Sequence, residues 1–145
     1  MKIALTLCIV YDTMMVRRRG EQMKKWQVLL YETEGGDVPV EKFLIALPPK
    51  HKAKALWEIG LLEELGTTLR EPYAKSIQGK KYKGLFELRV EMSGDISRIF
   101  YFLPAGEKFI LLHGFIKKSQ KTPPSELEIA LQRMNDYKRR FVDDE

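Results

Sequence analysis

Three β-rich runs, Tyr82–Glu91, Ile96–Leu103 and Phe109–Ile116, succeed one another with only Met92–Asp95 and Pro104–Glu107 between them. Each break is short, polar and contains a glycine. Breaks of this length connect neighbouring strands as hairpins, because a parallel return needs a crossover of a dozen or more residues. The spacing therefore predicts a three-stranded antiparallel meander on which the rest of the chain must pack.

Alternation along the first run places Phe86, Leu88 and Val90 on one face and Glu87, Arg89 and Glu91 on the other. In the second run Ile99, Tyr101 and Leu103 oppose Arg98, Phe100 and Phe102. If Arg89 and Arg98 share a face, two guanidiniums and two exposed aromatics line an open side of the sheet, suited to phosphates and unstacked bases. Two plainer arrangements are equally compatible with the spacing. Glu87 or Glu91 can pair with Arg98 across strands as a surface ion pair, and Phe100 and Phe102 can be core if the last helix folds over them.

Charge is concentrated in the same region. From Lys75 to Lys121 there are ten Lys or Arg against four acids, a net of +6, while the rest of the chain beyond residue 22 sums to −3. A basic sheet and rim of this kind is the footprint of a surface that meets phosphate. The whole chain carries +5, which favours nucleic acid over membrane as the anionic partner because no basic amphipathic helix stands out.

A chain of 145 residues, 44% of them hydrophobic, has the apolar material for one domain. Cys8 is the lone cysteine, so no disulfide framework or thiolate cluster is available, and a reducing, cytoplasmic setting fits. His51 and His113 lie far apart without an acidic ligand pattern, so neither a metal site nor a cofactor is expected. His113 reads as a satisfied core histidine, with a catalytic acid or base as the alternative.

Residues 1–22 differ from the rest of the chain, with an apolar start and then Arg17-Arg18-Arg19. The apolar run lacks a small-residue cleavage pattern after it and is too short to span a bilayer. An N-terminal extension or an added strand fits better, and Met23 opens what looks like a domain over 23–145. There, Trp26–Tyr31 reads as a strand and Glu34–Asp37 as a turn. Val40, Phe43, Leu44 and Leu47 give a short helix closed by Pro48-Pro49. A second helix runs over about 50–65, expected to bury Ala53, Leu56, Trp57 and Leu61, with Gly66 as its cap. Thr67–Gly79 shows no period. Beyond the meander, Ser125 and Glu128 form a capping-box pattern for a last helix with a stripe of Leu127, Ala130, Leu131, Met134, Tyr137 and Phe141.

Taken together, Leu85–Arg89, Arg98–Phe102, the run Leu111–Pro123 with its Phe-x-Lys-Lys-x-x-Lys-Thr-Pro segment, and the closing helix from Glu126 to Arg133 resemble the HigB-like, phage-derived branch of the RelE/ParE toxin superfamily. The resemblance covers roughly residues 24–141. It implies an α+β, RelE-like fold in which an N-terminal helical hairpin packs on a twisted antiparallel sheet with a C-terminal helix. It also implies the toxin of a type II toxin–antitoxin system, cleaving messenger RNA in the ribosomal A site, with a helix-turn-helix antitoxin as partner beside ribosome and message.

By position, the resemblance puts catalytic basic residues at Arg89 and Arg98 and at Lys117 or Lys118 after the last strand. Lys80, Lys81, Lys83 and Lys121 then hold RNA backbone. Metal-independent cleavage by the ribose 2′-hydroxyl needs a base, an acid and cations for the growing phosphorane charge. Arginines supply the cations because guanidinium stays charged and grips phosphate bidentately. Glu87 stands where RelE itself is basic, and the base and acid are unassigned. A ParE-like inhibitor of DNA gyrase and a non-enzymatic nucleic-acid-binding module are the competing readings.

Overall fold

The computed structural model describes residues 26–142; the extension at 1–22 and the boundary at Met23 lie outside the described residues. In chain order the elements are β1 (Gln27–Leu30), α1 (Pro39–Ala46), α2 (Pro49–Leu65), β2 (Ala74–Ser76), β3 (Phe86–Met92), β4 (Asp95–Ala105), β5 (Lys108–Ile116) and α3 (Pro124–Phe141). Single 3-10 turns at Gly66–Thr68 and Lys80–Tyr82 complete the set. The fold is α+β, and the expected meander is its centre.

The sheet is mixed, which corrects the expectation of an antiparallel one. Its order is β1-β5-β4-β3-β2, with β1 parallel to β5 and the other neighbours antiparallel. Most of the chain lies between β1 and β5, so no turn signal marks their pairing. Burial of Val28, Leu29 and Leu30 in succession fits a strand covered on both faces. The segment 67–79 also holds a strand, β2, whose three residues are too few to display alternation and are ordered by pairing with β3.

Helices cover both faces of the sheet. On one side Val40, Leu44, Leu56, Ile59 and Leu62 pack on Leu88, Val90, Ile99, Tyr101, Phe109 and Leu111. Helix α1 approaches β5 so closely that a Cβ on Gly114 would run into the Phe43 ring. Gly66 ends α2 at φ 54, against the indole of Trp26. The inner stripe of α2 is rotated from the expected one: Ala53 and Trp57 are exposed and Leu61 half-buried, while His51, Ala55, Glu58 and Ile59 face inward. Contacts made by two of its side chains account for the rotation. His51 Nε2 lies 2.8 Å from Ser97 Oγ, and Trp57 packs edge-on against Tyr73, with ring centroids 5.7 Å apart.

The other face belongs to α3. Phe100 and Phe102 are fully covered there, with Leu112, Phe115, Ala130 and Met134, so they are core and not an exposed platform for bases. Phe141, expected on the buried stripe, is 57% exposed. The capping box is absent: Pro123 is the N-cap, without a side-chain cap, and Glu128 is used elsewhere. Tertiary anchors set the helix instead. The Tyr31 hydroxyl donates to Asp136 Oδ2 at 2.6 Å, and Arg140 pairs with the same carboxylate at 2.8 Å.

A bulge in β5 matters for the site. Phe100 pairs with His113 but Tyr101 with Leu111, so β5 has one residue more than β4 at this point. Leu112 and the ring of His113 consequently both lie on the α3 side. No helix among the described residues is long and apolar enough to cross a membrane.

Glu58 is the anomaly of the α2 face. It is completely buried, and burial outweighs the Lys54 ammonium at 3.2 Å, pushing its carboxyl up from 4.5 to about 7. A carboxyl with a raised pKa binds its proton more tightly folded than unfolded, so its contribution to stability is lost as pH rises from about 4.5 to about 7. The expected share is roughly 3 kcal/mol. Denaturant melts of wild type and Glu58→Gln at pH 5 and pH 8 check this: the variant should lose that part of the pH slope and be the more stable protein at pH 8.

Candidate nucleic-acid interface

Strand register creates the central feature. Arg89 and Arg98 are direct partners across β3 and β4, and Phe115 of β5 stands beside Arg98 in the same row. Like charges in facing positions are unfavourable unless something neutralises them. Glu87, one pleat away on the same face, does so in part: its Oε2 lies 3.5 Å from Arg89 Nε and 3.9 Å from Arg98 Nε. Glu71, from the loop before β2, reaches Arg89 Nη1 at 3.5 Å.

Neither arginine is satisfied by these neighbours. Arg98 is 2% exposed, yet among the described residues its side chain makes one hydrogen bond, from Nη1 to the Ser97 carbonyl at 3.0 Å. The Nε–H groups of both Arg89 and Arg98 are buried without a hydrogen-bond acceptor among the described residues. Such groups cost free energy unless a ligand completes them. Burial and the neighbouring Arg89 cation lower the Arg98 pKa, opposed by Glu87; a guanidinium nevertheless stays charged in protein.

Lys117 closes the cluster. Its main-chain N–H donates to the Ile96 carbonyl at 2.8 Å, which extends the β4–β5 ladder by one residue and brings the lysine to the arginines. Burial first, then the charges of Arg98 and Arg89, hold its amine below the ordinary lysine value. Arg89, Arg98 and Lys117 therefore gather around Glu87 at one corner of the sheet, with Glu91 and the buried Glu58 adding weaker opposing charge at Arg98.

The other expected residues are placed differently. Lys81 is tied to α3 through Glu128 at 2.8 Å, and Tyr82 donates to the same carboxylate at 2.8 Å. Lys80, Lys83, Lys118 and Lys121 are exposed. Residues 80–83 and 118–121 form basic rims and supply no contact to the arginine pair.

His113 is a satisfied, half-buried histidine. Arg133 Nη1 lies 3.2 Å from Nδ1, and Nε2 lies 3.0 Å from Glu126 Oε1. Because arginine only donates, Nδ1 is the acceptor and Nε2 carries the proton toward Glu126. Desolvation lowers the pKa of the ring, and Glu126 opposes that shift. Phe100 stands between His113 and Glu87 in the register, so the histidine does not join the cationic corner.

A family model described as Phage derived protein Gp49-like (DUF891) matches residues 42–135, well over half of the chain. The chain belongs to that family. Among the curated proteins no match is found. The matched span runs from α1 into α3 and contains Arg89, Arg98, Glu87 and Lys117, so the cationic corner of this Gp49-like protein lies inside its family domain.

Glu87 and Glu71 are the site residues that sequence reasoning did not assign. Glu87 carried a signal, an acid between apolar neighbours two residues before Arg89 on the same strand; Glu71 carried none, being a loop residue brought in by β2. For Lys117 the expected outcome is direct. A carbon-detected NMR titration should place its amine below ordinary lysines, and Arg89→Gln should raise that value toward them by removing one facing cation.

Proposed function

We propose that this Gp49-like protein is the toxin of a type II toxin–antitoxin system, with a RelE-like fold of the HigB-like branch, and that it cleaves messenger RNA in the ribosomal A site. The observation that carries the reading is the incompletely paired Arg89–Arg98 couple, Arg98 buried and Arg89 partly so, with Lys117 beside it. A module that binds RNA only by charge has no need to bury a guanidinium at 2% exposure, since exposed lysines provide counterion release equally well. A phosphorane, by contrast, rewards cations that are fixed before the charge develops.

In the proposed reaction the ribose 2′-hydroxyl gives its proton to solvent water as its oxygen bonds to the adjacent phosphorus and the bond to the 5′-oxygen breaks. The products are a 2′,3′-cyclic phosphate and a 5′-hydroxyl. Arg89 and Arg98 hold the non-bridging oxygens, using N–H groups that otherwise lack acceptors. Lys117, with its lowered pKa, is the residue of the cluster able to move a proton, and giving it to the departing 5′-oxygen is the role its ammonium form fits. Lys80, Lys83, Lys118 and Lys121 contact the message or ribosomal RNA backbone. The proposed setting is the cytoplasm, with a helix-turn-helix antitoxin covering the site.

Primer extension on a reporter message in a purified translation system tests this. Wild type should give new 5′ ends inside codons only when ribosomes are present. Arg89→Gln should reduce cleavage by roughly 10²–10³-fold, the scale for removing one transition-state donor, with an unchanged melting temperature showing that it is folded. An intact message with wild type overturns the proposal and directs attention to a gyrase supercoiling assay.

A further inference from the structure

A second recessed feature lies at the β2 edge, outside the cationic corner. It is a cavity of about 570 Å³, and Arg70, Glu71, Lys75, Ser76, Gln78 and Phe86 are among its lining residues. Its volume falls in the range of small-molecule sites. Three properties of the lining restrict what it takes.

First, its cations are unspent. Arg70 and Lys75 have no ion pair among the described residues, whereas the one lining carboxylate, Glu71, is engaged with Arg89 at 3.5 Å. The free charge in the cavity is therefore positive and matches a phosphate. Second, Phe86 gives an aromatic wall held in place by Tyr101, stacked behind it at 5.5 Å and 21°, and a ring fixed in this way offers a stacking surface for any base.

Third, main-chain groups are available at the edge. Arg89 N donates to the Tyr73 carbonyl and Ile77 N to the Leu85 carbonyl. The alternation of an antiparallel ladder then turns the N–H and C=O of Ser76 away from β3. These groups and the Gln78 amide supply both donors and acceptors for a base edge.

We propose that this cavity is a nucleotide subsite, taking one nucleotide of single-stranded RNA next to the phosphate held by Arg89 and Arg98. The identification of the strand as RNA rests on the proposed nuclease activity. Continuity between the two sites is physical: Glu71 lines the cavity and touches Arg89, and Lys75 is the register partner of Glu87. Phe86 lies on the α2 side of the sheet and the arginines on the other, so a strand wrapping over the β2 edge would place its scissile phosphate on the arginines and its neighbour in the cavity.

The test is an amide-resolved NMR titration of nitrogen-15-labelled full-length protein with adenosine and uridine 5′-monophosphates, up to about 10 mM. Saturable shifts should appear within 67–78 and at Phe86. They should weaken about tenfold in an Arg70→Ala, Lys75→Ala double variant and persist in Lys117→Ala, which leaves the Glu71–Arg89 contact in place. Three results overturn the subsite: no shifts, shifts confined to Arg89, Arg98 and Lys117, or the same shifts with inorganic phosphate alone. Because binding is read without cleavage, the two proposals fail separately: an uncut message with a titrating cavity removes the nuclease reading only.

Discussion

Burial of the meander on both faces is the constraint on which the structure depends. Strands β3, β4 and β5 carry apolar side chains on each side, and neither face can be left to water without exposing several large residues. Helices α1 and α2 cover one face. On the other, α3 buries Phe100, Phe102 and Leu112, and at the far end of β3 and β4 the cationic corner holds a partly exposed Arg89 facing a buried Arg98. The candidate site thus grows out of the core: the same strands that bury the apolar residues carry the cations at their far end.

Placing two guanidiniums in facing positions opposes folding, and their environment offsets only part of that cost. Glu87 approaches both at 3.5 and 3.9 Å, and Glu71 adds a weak, exposed contact. Surface pairs of this quality contribute about 0–1 kcal/mol each, whereas a buried charge without full pairing costs several. The balance is unfavourable in the absence of a ligand, and an anion that completes the Nε–H groups reverses it. Such stored cost is the expected property of a site preorganised for negative charge.

Local patterns in the sequence carried the elements whose order is enforced locally. The glycine-containing breaks of the meander, Pro48-Pro49 closing the first helix, and Gly66 at the end of the second each act within a few residues. Period-two alternation left a shared face for Arg89 and Arg98 as a condition, and the strand register meets it. What was not legible depends on distant partners. The parallel pairing of β1 has no turn to announce it, and β2 exists through its ladder with β3. Helix α2 is rotated by the His51–Ser97 contact, and Glu128 leaves its capping role because Lys81 and Tyr82 claim its carboxylate. The burial of Glu87 was likewise hidden, since an acid on the polar side of an alternating strand normally faces water.

The β5 bulge separates two histidine roles that alternation alone confuses. With strict alternation His113 would fall on the same face as Leu111, against α1 and α2. The extra residue turns it toward α3 instead, where Glu126 and Arg133, seven residues apart on one helix face, occupy both ring nitrogens. An imidazole so engaged fastens α3 to the sheet and has no free nitrogen for substrate. Lys117 differs in every respect: it comes directly after β5, its ammonium has no carboxylate within ion-pair distance among the described residues, and the facing arginines make its proton easier to release. Within the proposed reaction, proton transfer therefore falls to the lysine that the ladder brings to the arginines, and the histidine's part is to hold in place the helix that bounds the site.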